Sequence, residues 1–331
     1  MLRLAFLTLL VGACSSLHVN LVDTSVQKPS NVALYFSVET SSGEPIGGLG
    51  ATDFKIFEDG KPISEHESKQ VILNPEVSVV HYTMLLVDLS GSVTESGQLD
   101  SIASAAEAFT DKVAKVHQVG VYSFDGSKDI RKLVGFTGSS GAVKGALQGM
   151  RNKKGSDPST NLNGAIVKAV DELRRVRDAA PVPLRFATLV VFTDGTDHAG
   201  YVTADQLREK LDDVDVDIFT IGLGGEIDQG ELGRTGKQGF ALAEDQGKLN
   251  KAFEDIASRI ENAAKKYYLL GYCTPSRAGK HTLMIEAHKD GKTGHAEHEF
   301  DATGFGPQCD PAKKPTFPIG NKRKALKKKA A

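Results

Sequence analysis

Three short stretches carry residues with chemistry to offer. Met84-Leu85-Leu86-Val87-Asp88-Leu89-Ser90-Gly91-Ser92 is an apolar run that ends in an Asp-x-Ser-x-Ser cluster. Leu189-Val190-Val191-Phe192-Thr193-Asp194-Gly195 is a second apolar run, closed by Thr-Asp-Gly. Between them lies Ser159-Thr160-Asn161-Leu162, a polar loop that opens a helical pattern. Both apolar runs have the length of a buried parallel strand. In an open α/β sheet the loops after such strands form the ligand edge. Hard oxygen donors at alternate positions in a tight loop suit a small divalent cation such as Mg²⁺. Asp and Ser are also ordinary turn residues, so the first cluster alone is weak and the three stretches together carry the reading.

The combination resembles the von Willebrand factor A (VWA) domain with its metal-ion-dependent adhesion site. Asp88, Ser90 and Ser92 match the first loop, Thr160 the second and Asp194 the third, in the family's chain order. The resemblance implies that Ser90, Ser92 and Thr160 are direct ligands of Mg²⁺ (or Mn²⁺ or Ca²⁺), at about 2.1 Å for magnesium. It implies that Asp88 and Asp194 supply charge, at least one of them through water. With few direct carboxylates the ion stays electrophilic, and a partner's Asp or Glu takes the remaining position. A less specific likeness joins Gly48-Leu49, Asp53-Phe54 and Glu58-Asp59-Gly60-Lys61 to a β module that precedes VWA domains in bacterial VWA-related proteins.

Neighbouring residues have blander readings. Asp157 reads as a turn residue in Gly155-Ser156-Asp157-Pro158, and in the sharper view as an acceptor that orients a metal ligand from behind. His198 reads as a loop-rim residue, with metal ligation as the sharper alternative. Gly224-Gly225-Glu226-Ile227-Asp228 falls at the same sheet edge, where it would shape partner specificity. His281, His288, His295 and His298 cluster near the C-terminus. A hairpin that opposed His288 to His295 would offer Zn²⁺ or Ni²⁺ a site, but outward polar strand faces are the commoner explanation. A Ser90–His198–Asp194 hydrolase triad lacks the Gly-x-Ser-x-Gly elbow. No Gly-Lys-Ser/Thr phosphate loop is present, so the expectation is a binding protein rather than an enzyme.

The elements that must position these residues alternate from His81 onward. Strands are expected over 118–124, 130–136, 185–194 and 216–223, the first two paired through an Asp125-Gly126 turn. Helices are expected over 96–113, 142–150, 161–175, 203–211, with Thr203 as N-cap, and 249–264. The βαβ rhythm implies an α/β, doubly wound, mainly parallel sheet with right-handed crossovers. Strand patterns at 32–38, 54–58, 267–273, 282–288 and 295–300 flank it without helices. Each flank has too few strands to stand alone, so the two are expected to form one small antiparallel β-sandwich, with Phe36 or Phe54 against Tyr267–Tyr272.

Composition bounds the rest. Of 331 residues, 40% are hydrophobic and 25% charged, an ordinary globular balance. A net charge of -2 argues against general nucleic-acid binding. Met1-Leu2-Arg3, an apolar Leu4–Val11 and Gly12-Ala13-Cys14 have the three-part form of an export signal. Val11-Gly12-Ala13-Cys14 resembles the bacterial lipobox, which implies lipid on Cys14 and membrane attachment. An ordinary cleaved signal is the alternative. Ser15 after the cysteine, rather than Asp, points to the outer membrane.

Cys273 and Cys309 remain as an even pair for one disulfide, with two free thiols as the alternative. The tail carries Lys313, Lys314, Lys322, Arg323, Lys324, Lys327, Lys328 and Lys329, and reads as solvated and disordered or as a contact for anionic surfaces.

The expected organisation is a signal over 1–14, a tether over 15–31 with room for one strand around Leu17–Val22, a β segment over 32–78, a VWA unit over 79–265, a second β segment over 266–305 and a basic tail over 306–331. The expected function is an envelope-anchored lipoprotein that binds a protein partner through a Mg²⁺-bridged acidic residue. The alternative is a metal-independent spacer or scaffold.

Overall fold

The structure, a computed structural model, describes residues 16–73, 79–95, 97, 99–182, 184–212, 214–224, 229–243 and 246–317. The signal with Cys14, the Gly225–Asp228 part of the edge loop and the lysines beyond Phe317 lie outside them. In chain order the strands are β1 (Leu17–Gln27), β2 (Asn31–Thr40), β3 (Phe54–Glu58), β4 (Lys61–Ile63), β5 (Val71–Leu73), β6 (Val79–Asp88), β7 (Gln118–Phe124), β8 (Arg131–Thr137), β9 (Leu184–Thr193), β10 (Asp217–Leu223), β11 (Gly239–Ala243), β12 (Tyr267–Cys273), β13 (Lys280–Lys289) and β14 (Lys292–Asp301). The helices are α1 (Glu65–Ser68), α2 (Gly91–Glu95), α3 (Leu99–Val113), α4 (Ser140–Met150), α5 (Leu162–Ala179), α6 (Ala204–Asp212), α7 (Gln229–Thr235) and α8 (Gln246–Lys265). The chain divides into two compact units, one from Met1–Asn74 and Lys265–Thr316, the other from Pro75–Ala264 and Phe317–Ala331.

The second unit is built on a six-stranded sheet of order β11-β10-β9-β6-β7-β8. All its neighbours are parallel except β8, which runs antiparallel to β7. β6 is buried on both faces, and its alternation divides the core. Leu85 and Val87 pack with Ile102, Phe109 and Phe253 from α3 and α8, whereas Met84 and Leu86 pack with Ile166, Val170 and Leu173 from α5. The order of the strands puts the C-terminal ends of β6, β7, β9 and β10 on one edge, as the sequence pattern implies.

The first unit is a sandwich of two antiparallel sheets, β1-β2-β12-β5 and β14-β13-β3-β4. Both flanks of the chain contribute to each sheet: β2 pairs with β12, and β3 with β13. Between the sheets, the Phe54 ring stands edge-on to Phe36 at 5.2 Å and to Tyr268 at 5.4 Å. Each such aromatic pair adds about 0.5–1.5 kcal/mol beyond simple burial.

Two expectations need correction. Residues 17–27, within the span read as a tether with room for one short strand, form the longer edge strand β1, paired with β2 from Leu17↔Thr40 to Gln27↔Asn31 with a register shift between Leu21 and Asp23. Buried Leu17 and Val19 alternate with exposed His18 and Asn20, but beyond the register shift the polar Asp23, Thr24 and Ser25 hide the period. The described start of the tail, residues 306–317, is held rather than free. Cys309 is disulfide-bonded to Cys273, Asp310 N–H donates to Asn31 Oδ1 at 2.9 Å, and Thr316 N–H donates to Ser25 Oγ at 2.9 Å. Gly271 permits the approach, because a Cβ there would collide with the Pro311 carbonyl oxygen.

Candidate metal centre

β6 delivers Asp88 to the sheet edge fully buried, and the chain turns at once into α2. One Asp88 oxygen accepts the Ser90 N–H at 2.8 Å, which fixes the Asp-x-Ser turn. The other accepts the Thr193 hydroxyl at 2.7 Å from the end of β9, the neighbouring strand. The Ser90 and Ser92 hydroxyls lie 3.3 Å apart, and Ser92 Oγ donates to Asp194 Oδ1 at 3.0 Å. Asp88, Ser90, Ser92 and Asp194 are thus joined through two loops that are 102 residues apart at the Ser92–Asp194 bond. Ser90 is buried and Ser92 is exposed, so the cluster opens to solvent on the Ser92 side.

The loop that carries Thr160 docks on the same turn. Gly91 N–H donates to Pro158 O at 2.8 Å, and Gly155 passes so close to the Leu89 carbonyl oxygen that a Cβ would collide with it. Thr160 is buried, and its carbonyl accepts the N–H groups of His198 and Ala199 at 2.9 and 3.0 Å. Asn161 caps α5 by accepting the Gly164 N–H at 3.2 Å.

Electrostatics favour a cation here. Burial pushes the Asp88 carboxyl up to about 6, the Asp194 charge pushes the same way, and only neutral donors from Ser90 and Thr193 oppose them. Two carboxylates and two serine hydroxyls around one opening form a hard-oxygen donor set suited to Mg²⁺ or Mn²⁺. The residues present therefore fit such an ion.

Other candidate residues fall elsewhere. Asp157 Oδ1 accepts the Ser159 N–H at 2.9 Å, a local turn bond. His198 is exposed and meets the site through its backbone; among the described residues no histidine bonds Ser90. In the β13–β14 hairpin His288 faces Thr293 and His295 faces Glu286, so the two histidines do not oppose each other. Among the described residues no group of three His, Cys, Asp or Glu side chains is arranged to hold a metal.

The sequence reading missed two contributors. In the sequence Thr193 reads only as the end of a strand. Asp125 reads as half of a tight turn, but the β7–β8 connection runs from residue 125 to 130 and Asp125 organises it. Its side chain accepts N–H groups from Ser127 at 2.9 Å and Ser156 at 2.6 Å and pairs with Arg131. Its position directly after a parallel strand, at the same edge as Asp88 and Asp194, was the available signal.

The chain is similar in structure to proximal thread matrix protein 1 from the mussel byssus, at 18% identity over 62% of this chain and 49% of that one, with a TM-score of 0.42. It spans about half the length of that protein, which has also been solved with a zinc-occupied MIDAS motif. It is similar to a von Willebrand factor type A protein from Catenulispora acidiphila, at 11% identity over 89% and 76% of the two chains, with a TM-score of 0.46. It is also similar to manganese-loaded TRAP protein from Plasmodium vivax, at 13% identity over 75% and 98%, with a TM-score of 0.47. Among curated proteins none matches. The family model of the von Willebrand factor type A domain matches residues 83–196, which span all three loops of the site. The chain therefore carries a von Willebrand factor A domain.

Proposed function

We propose that the chain is a non-enzymatic adhesion or assembly protein of the bacterial cell envelope that binds a protein partner through a divalent cation. The observation that carries this reading is the hydrogen-bonded run from Asp88 through Ser90 and Ser92 to Asp194, open to solvent at Ser92, with the Thr160 loop docked beside it. Ser90, Ser92 and Thr160 would hold Mg²⁺ by hydroxyl oxygen, with Asp88 and Asp194 balancing its charge. When bound, the ion supplies a Lewis-acidic position for an Asp or Glu of the partner. The chain's own residues set the geometry: Thr193 and the Ser90 N–H orient the Asp88 carboxylate, and α2 holds the serine pair.

The Cys273–Cys309 disulfide supports export to an oxidising compartment. Attachment through lipid on Cys14, in the outer membrane, is the anchoring that the N-terminal residues favour.

A metal-independent spacer is the second reading, and one observation favours it. The Ser92–Asp194 bond satisfies donor and acceptor without an ion. Titration calorimetry with Mg²⁺ and Mn²⁺ separates the two. Saturable heat with wild type, and none with Asp88→Ala, supports the metal reading. The absence of heat with either cation leaves the spacer. A pull-down from envelope extract with and without EDTA then tests whether capture needs the ion.

A further inference from the structure

Among the described residues, Tyr201 is the most exposed large hydrophobic side chain, at 51% of its surface. It does not stand alone. The Lys128 ammonium sits over its ring, 5.1 Å from the centroid. Lys128 comes from the β7–β8 loop and Tyr201 from the loop after β9. Both loops are tied to the start of α5. Asn161 Nδ2 donates to Ser127 O at 2.8 Å, next to Lys128. On the other side, Thr160 O accepts the His198 and Ala199 amides, the Asp197 carboxylate accepts Asn163 N–H at 2.9 Å, and Asn163 Nδ2 donates to Val202 O at 3.0 Å. These hydrogen bonds, each with a backbone group on at least one side, hold the Tyr201–Lys128 pair beside Thr160, a residue of the candidate metal centre.

Elsewhere in this unit Phe109, Phe124, Phe192 and Phe253 are buried, and Phe240 on β11 is the other exposed large hydrophobic ring among the described residues. A rigid aromatic left in water at a ligand edge loses little conformational freedom on binding and offers a large contact area. Lys128 is equally available. The carboxylate that feels its charge, Asp129, is already bonded to Lys168 at 2.8 Å. Lys128 itself forms no ion pair among the described residues. Its ammonium is held in place by the ring but is not neutralised by a side-chain carboxylate.

We propose that the partner segment is acidic at two positions, one carboxylate reaching the ion at Asp88, Ser90, Ser92, Thr160 and Asp194, the second taken by Lys128 while its aliphatic flank packs on Tyr201. This rests on the metal-dependent binding proposed above. It narrows the partner from any protein with an acidic residue to an acidic segment with a defined spacing.

The test uses fluorescein-labelled octapeptides of Gly and Ser that carry one central Asp, and a set with a second Asp moved through the remaining positions. Anisotropy is read in Mg²⁺ and in EDTA, with the full chain. At one or two spacings the second Asp should tighten binding in Mg²⁺ by about two- to fivefold, the range of an exposed ion pair. Lys128→Ala should erase that gain, Tyr201→Ala should reduce it, Tyr201→Phe should keep it, and all three should bind Mg²⁺ by calorimetry as wild type does. Mg²⁺-dependent binding of the one-Asp peptide with no gain at any spacing, or a gain that survives Lys128→Ala, overturns this inference alone. No Mg²⁺-dependent binding of any peptide, together with no calorimetric Mg²⁺ signal, overturns it along with the metal reading.

Discussion

The Asp125 carboxylate and the Ser156 backbone N–H meet at 2.6 Å, a bond that fastens the loop after β7 to the loop before Thr160. Burial would raise this carboxyl, yet it is held below its usual value by hydrogen bonds from Ser127 and Ser156 and by the Arg131 charge. The Asp125 carbonyl also accepts Asn161 N–H at 3.1 Å, so one residue grips the Thr160 loop from both sides. Asp125→Asn keeps the size but removes the charge and one acceptor. Mg²⁺ affinity should fall by about 10–100-fold, the effect typical of residues that orient metal ligands. Stability should fall by about 1–3 kcal/mol, because partly buried amides lose their charged acceptor. Calorimetry and urea denaturation measure the two; an unaltered Mg²⁺ isotherm in a folded variant would show that Asp125 does not position the site.

Thr193 supplies the second bond to Asp88, at 2.7 Å, and both side chains are buried. Thr193→Val keeps the β-branched shape and deletes the donor. A hydrogen bond to a charged group is worth about 1.5–3 kcal/mol, and the apo protein should lose an amount in that range. Thr193→Ser should recover most of it. If the valine variant melts with wild type, the Thr193 hydroxyl does not stabilise the Asp88 carboxylate.

These two residues also show where the sequence was readable and where it was not. Asp88, Ser90 and Ser92 lie within one turn, and Asp194 ends an unmistakable apolar strand, so local spacing exposed them. Their positioners are nonlocal: Thr193 meets Asp88 across 105 residues, and Asp125 meets Ser156 across 31. Asp125 was further hidden by Gly126, since Asp-Gly is a strong hairpin signal in its own right. The sheet was legible because β6 and β9 are apolar on both faces. Only the start of strand β1 was, because Leu17, Val19 and Leu21 alternate with His18 and Asn20; beyond the register shift between Leu21 and Asp23 the residues turn mostly polar, and pairing with β2 supplies the order. The tail start was misread for a similar reason. Its few apolar residues forecast disorder, whereas a covalent bond and backbone contacts to Ser25 and Asn31 hold it.

The Cys273–Cys309 bond closes a loop with a sequence separation of 36 residues. Closing a loop of that size restricts the unfolded chain by an amount that chain-entropy arguments put at about 3–4 kcal/mol. Cys309→Ser should therefore lower the denaturation midpoint of the sandwich unit, followed by loss of its aromatic near-ultraviolet signal. It should leave Mg²⁺ binding by the other unit within about twofold, since sites without shared partners behave additively. A large loss of Mg²⁺ affinity in the variant would contradict the independence of the two.

His117 gives the VWA unit a pH dependence that can be signed. The residue is buried, its Nδ1 is bonded to the Thr83 hydroxyl at 2.7 Å, and its ring stacks on His81 at 4.6 Å. His81 in turn stacks on Phe186 at 4.8 Å. Burial disfavours the imidazolium and pulls His117 down from 6.5 to about 4. Between those values the unfolded chain binds a proton at this residue and the folded chain does not. Stability should thus be fully present above pH 6.5 and fall as the pH drops towards 4, where the folded residue also protonates. At about 1.4 kcal/mol per unit the loss approaches 3 kcal/mol, an upper figure for a site that is not wholly dry. Urea titrations of wild type and His117→Gln between pH 7.5 and 4.5, both in EDTA, isolate the contribution. The variant should be less stable at neutral pH but lose less on acidification, and parallel pH profiles for the two proteins would exclude His117 as the source.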